Sequence, residues 1–277
     1  MNFESTIFEV NEGCAILKFN RPETLNALNN QVFKEIHQFF KQVTASPELR
    51  AVLITGSGRG FCAGADLKSR RTARKNPNKK LDPEQPKATR GLNLKRAMIA
   101  MVNPIVETML NFEKPIVAAV NGVTAGAGVG IALSADIVIA ARSATFIQVF
   151  GPQLGVIPDM GCTWHLPRLI GRARSLGLTL LGERLTAEKA AEIGMIWKCV
   201  DDEILMDEAT AIALKLARGP SKAFKFIKKA LLAADRNSLT DQLNLEAEYQ
   251  GYCVDTEDNR EGIKAFLEKR DPIFKGR

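Results

Sequence analysis

Two short apolar runs, residues 51–55 (AVLIT) and 116–120 (IVAAV), each lead straight into a glycine-dense turn. This pairing constrains the fold more than any other feature. A run with no polar side offers no face to water, so it reads as a strand covered on both faces, as in a parallel sheet. Parallel neighbours must be joined by crossovers, usually helical, and these runs therefore exclude an all-β meander. After the second turn a small-residue helix is expected toward Ser134, and a third strand over residues 137–140 (IVIA). The unit of strand, glycine turn and helix thus occurs twice, which predicts an α/β core.

The turns themselves are GSGRGFCAGADLK at 56–68 and NGVTAGAGVG at 121–130. Glycine lets backbone turn sharply and come close to a ligand without a Cβ in the way. Neither spacing is GxGxxG or GxxxxGK[ST], so neither a dinucleotide fold nor a P-loop is indicated. Upstream, residues 7–10 and 15–19 read as a hairpin around Asn11-Glu12-Gly13. NRPETLNALN at 20–29 marks a loop into a helix whose stripe is Leu28, Val32, Ile36, Phe40 and Val43. Leu94, Met98, Met101, Ile105 and Met109 predict another striped helix, with methionines suited to core or to an adaptable acyl pocket. Beyond residue 168 the pattern is helical apart from a strand near 196–200, with Pro220 separating two segments of the tail. We expect a core over 1–200 and a helical region over 201–277.

The net charge of +7 is local: the segment from Lys68 to Arg90 holds nine basic and two acidic side chains, leaving the rest of the chain neutral. A nucleic-acid binder would spread such charge over a face, so this segment reads as a solvated basic insertion or a rim attracting a small phosphorylated ligand. Cys14, Cys62, Cys162, Cys199 and Cys253 are scattered, without CxxC or histidine at ligand spacing, and are expected to be reduced thiols with no metal. The only histidines are His37, expected at a surface or edge, and His165, expected to be structural. They give a Ser-His-Asp triad little to work with. The start shows no basic segment leading into an apolar one, and no apolar run reaches membrane-spanning length, so a cytoplasmic protein with no membrane partner is expected.

One carboxylate stands out. Asp159 lies in residues 146–167, FIQVFGPQLGVIPDMGCTWHLP, after Pro158 and just before Gly161. An Asp there can cap a helix by accepting its first free N–H groups, or it can carry proton chemistry. Residues alone leave both open.

Five ordered motifs resemble the crotonase family, also called the enoyl-CoA hydratase/isomerase superfamily: NRPxxxNAL at 20–28, FCAGADLK at 61–68, KPIVAAVNGVTAGAGVGIALSADIVIAA at 114–141, GVIPDMG at 155–161 and LTAEKAAEIGMIWKCV at 185–200. The resemblance implies a spiral of ββα units with a C-terminal helical region, assembled as a homotrimer or a dimer of trimers. It implies an acyl-CoA thioester as ligand, with coenzyme A part of the substrate and no separate cofactor. The thioester oxygen would sit between the backbone N–H groups of Ala65 and Ala127. Ala63, Asp66, Leu67 and Lys68 would lie along the CoA site, and Phe266 and Lys269 match tail residues that reach a neighbouring subunit's CoA. Family hydratases use two glutamates; here those positions hold Gly130 and Phe150, and Asp159 stands where family isomerases carry an acid.

Within the family, residues 157–202 are most similar to bacterial phenylacetate-pathway isomerases, which convert a ring-1,2-epoxyphenylacetyl thioester to the oxepin and also shift acyl double bonds. The expected chemistry is proton removal by Asp159 beside an oxyanion hole, with Phe150, Met98 and Met101 as an apolar wall. Alternatives are a straight-chain enoyl-CoA isomerase, a hydratase-like enzyme, a hydrolytic relative with Asp159 as nucleophile, or an inactive CoA-binding scaffold.

Overall fold

The computed structural model describes residues 3–68 and 89–277, so most of the basic insertion lies outside the described residues. In chain order the strands are β1 Thr6–Asn11, β2 Cys14–Phe19, β3 Ala51–Gly56, β4 Gly60–Cys62, β5 Ile116–Val120, β6 Val123–Ala125, β7 Ile137–Ala141, β8 Thr145–Ile147, β9 Arg184–Thr186 and β10 Lys198–Val200. The helices are α1 Asn30–Ala45, α2 Arg90–Ala97, α3 Asn103–Asn111, α4 Ala127–Leu133, α5 Phe150–Leu154, α6 Cys162–Leu181, α7 Ala187–Glu192, α8 Leu205–Ala217, α9 Ser221–Ala234, α10 Leu239–Val254 and α11 Glu257–Glu268.

Among the described residues the strands form two sheets, one in the order β1-β2-β3-β5-β7-β10 and a smaller one in the order β4-β6-β8-β9. The apolar runs behave as their composition demands. Every residue of β3 and β5 is buried, and β2, β3, β5, β7 and β10 pair in parallel. The β1–β2 hairpin closes through Glu12 and Gly13, both at positive φ, the two-residue turn that matches strand twist. Short strands follow directly on long ones: β4 after β3, β6 after β5, β8 after β7. Each glycine-dense turn thus carries the chain from the large sheet into the small one.

Helix α1 begins at Asn29, whose side chain accepts the Val32 N–H, and buries Val32, Phe33, Ile36, Phe39, Phe40 and Val43. Phe39 is in edge-to-face contact with Phe8 and Phe40, and burying a side chain of that size is worth about 2–3 kcal/mol. Leu28, counted in the helical stripe from sequence, lies ahead of the helix and pairs with Ala65 instead. Helix α8 packs on β3, β5 and β7 through Leu205, Ala209, Ala213 and Ala217. The C-terminal region is tied back by Arg50, whose guanidinium donates to Ser221 Oγ (2.9 Å), the Phe274 carbonyl (3.1 Å) and the Gly219 carbonyl.

The methionine stripe is not one continuous α-helix. Between α2 and α3, Met98–Val102 form a π-turn, with the Asn103 N–H bonded to the Met98 carbonyl. Pro104 is the physical reason: it has no N–H to give, and its ring crowds the carbonyl four residues back. His37, expected at an edge, is half-buried and donates Nε2–H to the Met101 carbonyl at 2.8 Å. Burial grows through this turn: Leu94 is exposed, Met98 and Met101 are half-buried, and Val102, Ile105 and Met109 are core.

Candidate active site

The first glycine turn is braced by the NRPxxxNAL motif. Asn26, buried and at positive φ, donates to the carbonyls of Ser57 (3.0 Å) and Gly60 (2.7 Å) and accepts the Arg21 N–H (2.8 Å). Arg21 donates to the Ala27 carbonyl at 2.5 Å and pairs with Asp66 Oδ2 at 2.9 Å. Asp66 is thus buried and holds the turn, while Leu67 and Lys68 are exposed at its rim and Ala63 donates its N–H to the Leu25 carbonyl. Across the parallel bridge between Leu28 and Ala65, Leu28 N–H donates to the Gly64 carbonyl (2.7 Å) and Asp66 N–H to the Leu28 carbonyl (2.9 Å). The bridge therefore uses the groups on either side of Ala65, and the Ala65 N–H faces the other way.

The second turn presents Ala127 as the first residue of α4. The opening N–H groups of a helix have no partner within it, and α4 has Gly126 at its N-cap with no side chain to supply one. Gly126 has φ 52° and ψ −122°, a conformation open to glycine, and its N–H donates to the Ile147 carbonyl. The two turns meet at Gly64 (φ 87°), where a Cβ would stand 2.8 Å from the Ala125 carbonyl oxygen and 3.3 Å from Ala127 N. Two backbone N–H groups thus come together from neighbouring turns, one at the positive end of a helix. That pairing suits an oxygen gaining negative charge.

Asp159 lies on a loop along the same face of α4. A Cβ on Gly130 would fall 2.2 Å from the Met160 carbonyl oxygen and 2.5 Å from the Met160 Cβ, so loop and helix are in direct contact there. Gly130 and Ala127 are three residues apart and share a helix face, so the loop packs on α4 about one turn along from the donor residue. Asp159 is half-buried with its Oδ1 atom inside. The cap reading fails: α6 has Gly161 at its N-cap, and no side chain caps it. Val106 of α3 presses on the same loop, its Cγ1 being 3.1 Å from where a Gly161 Cβ would lie. The Phe150 ring covers Gly126, with Cζ 3.6 Å from the corresponding point. Met98 and Met101 pack against the core from the π-turn.

Sequence reasoning missed the support behind this site. Cys162 is fully buried with Sγ 3.9 Å from the Gly126 carbonyl oxygen, and burial pushes its thiol up to about 12, with the Asp159 charge adding to the rise and Gln148 working against it. His165 Nε2 lies 3.1 Å from Ser134 Oγ, which donates to the Gly130 carbonyl at 2.7 Å. Burial, with the Arg168 cation adding to it, lowers His165 to about 4, so the ring is neutral at ordinary pH. No single residue signals these links, because the partners are far apart in the chain.

Phe266 and Lys269 sit apart, at the end of α11. Both are exposed, and Phe266 lines a cavity of about 380 Å³ with Ile263, Leu267 and Phe274 among the C-terminal helices. Among the described residues no cluster of His, Cys, Asp or Glu could hold a metal ion, and no helix is long and apolar enough to cross a membrane.

Residues 9–277 match the family model described as enoyl-CoA hydratase/isomerase. The chain is 45% identical to 1,2-epoxyphenylacetyl-CoA isomerase of Escherichia coli (strain K12), over 99% of each chain. It is 42% identical, over the full length of both, to a Rhodobacter capsulatus protein described as a probable enoyl-CoA hydratase. Among solved structures, the enoyl-CoA hydratase of Bacillus anthracis superposes with a TM-score of 0.87 at 29% identity, covering 99% of this chain and 100% of that one.

Proposed function

Because the chain belongs to the enoyl-CoA hydratase/isomerase family, we propose that it is an acyl-CoA isomerase that moves protons with one carboxylate, Asp159. The observation that carries this reading is the loop contact at Gly130. Of the two positions where family hydratases hold glutamates, one is a glycine closed off by the Met160 backbone and the other is the buried Phe150 ring. Neither can position water or handle its proton, which argues against hydration and leaves Asp159 as the acid–base group.

The thioester oxygen lies between the N–H groups of Ala65 and Ala127. Drawing charge onto that oxygen acidifies the adjacent C–H, and Asp159 takes the proton. The electron pair becomes an enolate held by the two donors, each worth about 3 kcal/mol of barrier. The protonated Asp159, exchanging with solvent, then gives a proton to another carbon of the conjugated system, so that the double bond moves and the acyl chain keeps its composition. For a ring-epoxide phenylacetyl thioester, the class named for the Escherichia coli relative, the same stabilised oxyanion assists the rearrangement. Phe150, Met98 and Met101 form the apolar wall. Lys68 contacts the CoA phosphates, and Phe266 and Lys269 reach the CoA of a neighbouring subunit.

That last role requires assembly, and the C-terminal helices expose Ile227, Leu231, Leu239, Leu243 and Leu267, an apolar surface suited to a homotrimer or a dimer of trimers. Sedimentation as a monomer would end the assembly proposal. For the chemistry, purified protein is incubated with a 3-enoyl-CoA in deuterated water. Deuterium should enter the acyl chain with the unsubstituted enzyme and not with Asp159→Asn. Equal exchange and turnover in both would refute the assignment, and hydration products formed at a comparable rate would favour the hydratase reading.

A further inference from the structure

The two halves of the proposed site arrive on different elements, one donor at the start of α4 and the acid on the loop before α6. Contacts at Gly130 and Cys162 press them together, but close packing alone permits sliding. A directed link between side chains supplies what packing does not. His165 Nε2 and Ser134 Oγ are 3.1 Å apart, and both residues are buried.

The direction of that link follows from its surroundings. Ser134 Oγ donates its one proton to the Gly130 carbonyl at 2.7 Å, so toward His165 it can only accept. Nε2 therefore carries the ring hydrogen. The Gly130 carbonyl also receives the Ser134 N–H at 3.0 Å, so the chain of bonds ends on the last turn of α4, whose first residue is the donor Ala127. At its other end the Cδ2–Nε2 edge of the ring packs against the turn that follows Asp159: both atoms are 3.1 Å from where a Cβ on Gly161 would sit, and the Trp164 ring meets the imidazole edge-on. The imidazole both spaces the acid's turn from α4 and bonds to α4.

We propose that His165 is a positioning residue for the isomerase: through Ser134 it fixes the Asp159–Gly161 turn against α4, and so fixes the reach of the Asp159 carboxylate to the carbon beside the oxyanion site. This rests on the reading of Asp159 as the base. It differs from an ordinary buried histidine in what is lost when the bond is cut. A packing role changes the folded fraction, whereas a positioning role changes turnover in protein that is fully folded, because small misplacements of a catalytic group cost much of the rate.

The test compares His165→Phe, which keeps the ring and removes the donor, with His165→Gln, whose amide N–H reaches about as far as Nε2. Ser134→Ala removes only the acceptor. The readouts are kcat, KM, deuterium entry into the acyl chain and the melting temperature, with Asp159→Asn alongside. His165→Phe and Ser134→Ala are expected to lower kcat about tenfold or more with KM within about twofold. His165→Gln should recover most of the loss, and the Phe/Ala double variant should be no worse than the poorer single one, as for two ends of one bond. If His165→Phe does not fold, Ser134→Ala gives the same reading. A fall in melting temperature at unchanged kcat overturns the proposal, as does a Gln variant as impaired as Phe. Exchange that survives Asp159→Asn sinks the base assignment instead, and exchange lost in Asp159→Asn but unchanged in the other variants sinks only the positioning role.

Discussion

The buried, neutral His165 makes a quantitative prediction about acid stability. In the unfolded chain the imidazole takes a proton near its ordinary 6.5, whereas in the fold burial and the Arg168 cation hold it to about 4. Between those values the unfolded state binds a proton that the native state refuses, so stability present in full above pH 6.5 is lost as pH falls toward 4. At about 1.4 kcal/mol per pH unit, the interval corresponds to roughly 3 kcal/mol. Other groups titrate nearby. Glu35 and Glu113 are held below the usual carboxylate range and also lose stability in acid, while burial raises Asp136 and works the other way. These groups are common to the unsubstituted protein and His165→Gln, so the difference between the two isolates the histidine. Urea unfolding of both, at fixed protein concentration and pH 4.5 to 8, should give curves that converge as pH falls through this window. A difference independent of pH would refute the reasoning.

Two further substitutions test other parts of the structure. Gly130→Ala should destabilise the fold by about 1–3 kcal/mol, because the new methyl meets the Met160 backbone, and Gly130→Glu should not create hydratase activity; efficient hydration by that variant would show that the loop yields. Glu35 accepts hydrogen bonds from Glu4 N, Ser5 N, Thr6 Oγ1 and Gln31 Nε2 at 2.8–3.2 Å, so its carboxylate anchors the first strand to α1. Glu35→Gln turns a donor toward those donors and should cost about 1–3 kcal/mol, measured as a lower urea midpoint, whereas an unchanged midpoint would remove the anchor.

The long strands are legible because composition and burial coincide: residues 51–55 and 116–120 have no polar side and lie inside the sheet as expected. The small sheet was not legible. Strands β4, β6, β8 and β9 are three residues each, too short for any period to show, and β4 and β6 lie within glycine-dense stretches that read as turns. Asp159 could be found from sequence but not interpreted, since a cap and a base look alike until the helix start is seen at Gly161. His37 and His165 carry no local signal of what they bind, because their partners Met101 and Ser134 lie 64 and 31 residues away. Leu28 fits the helical stripe by spacing, yet Asn29 caps the helix one residue later and leaves Leu28 to pair with Ala65.

Pro104 offered a signal that the regular 94-98-101-105-109 spacing concealed. The extra residue of the π-turn rotates the segment before it by about 100° relative to an unbroken helix. The rod of residues 90–111 therefore behaves as two pieces joined by a swivel, with an outward front piece and a rear piece anchored at Ile105 and Met109. Substitutions at the front can re-aim Met98, and with it the apolar wall proposed there, without propagating into the anchored half.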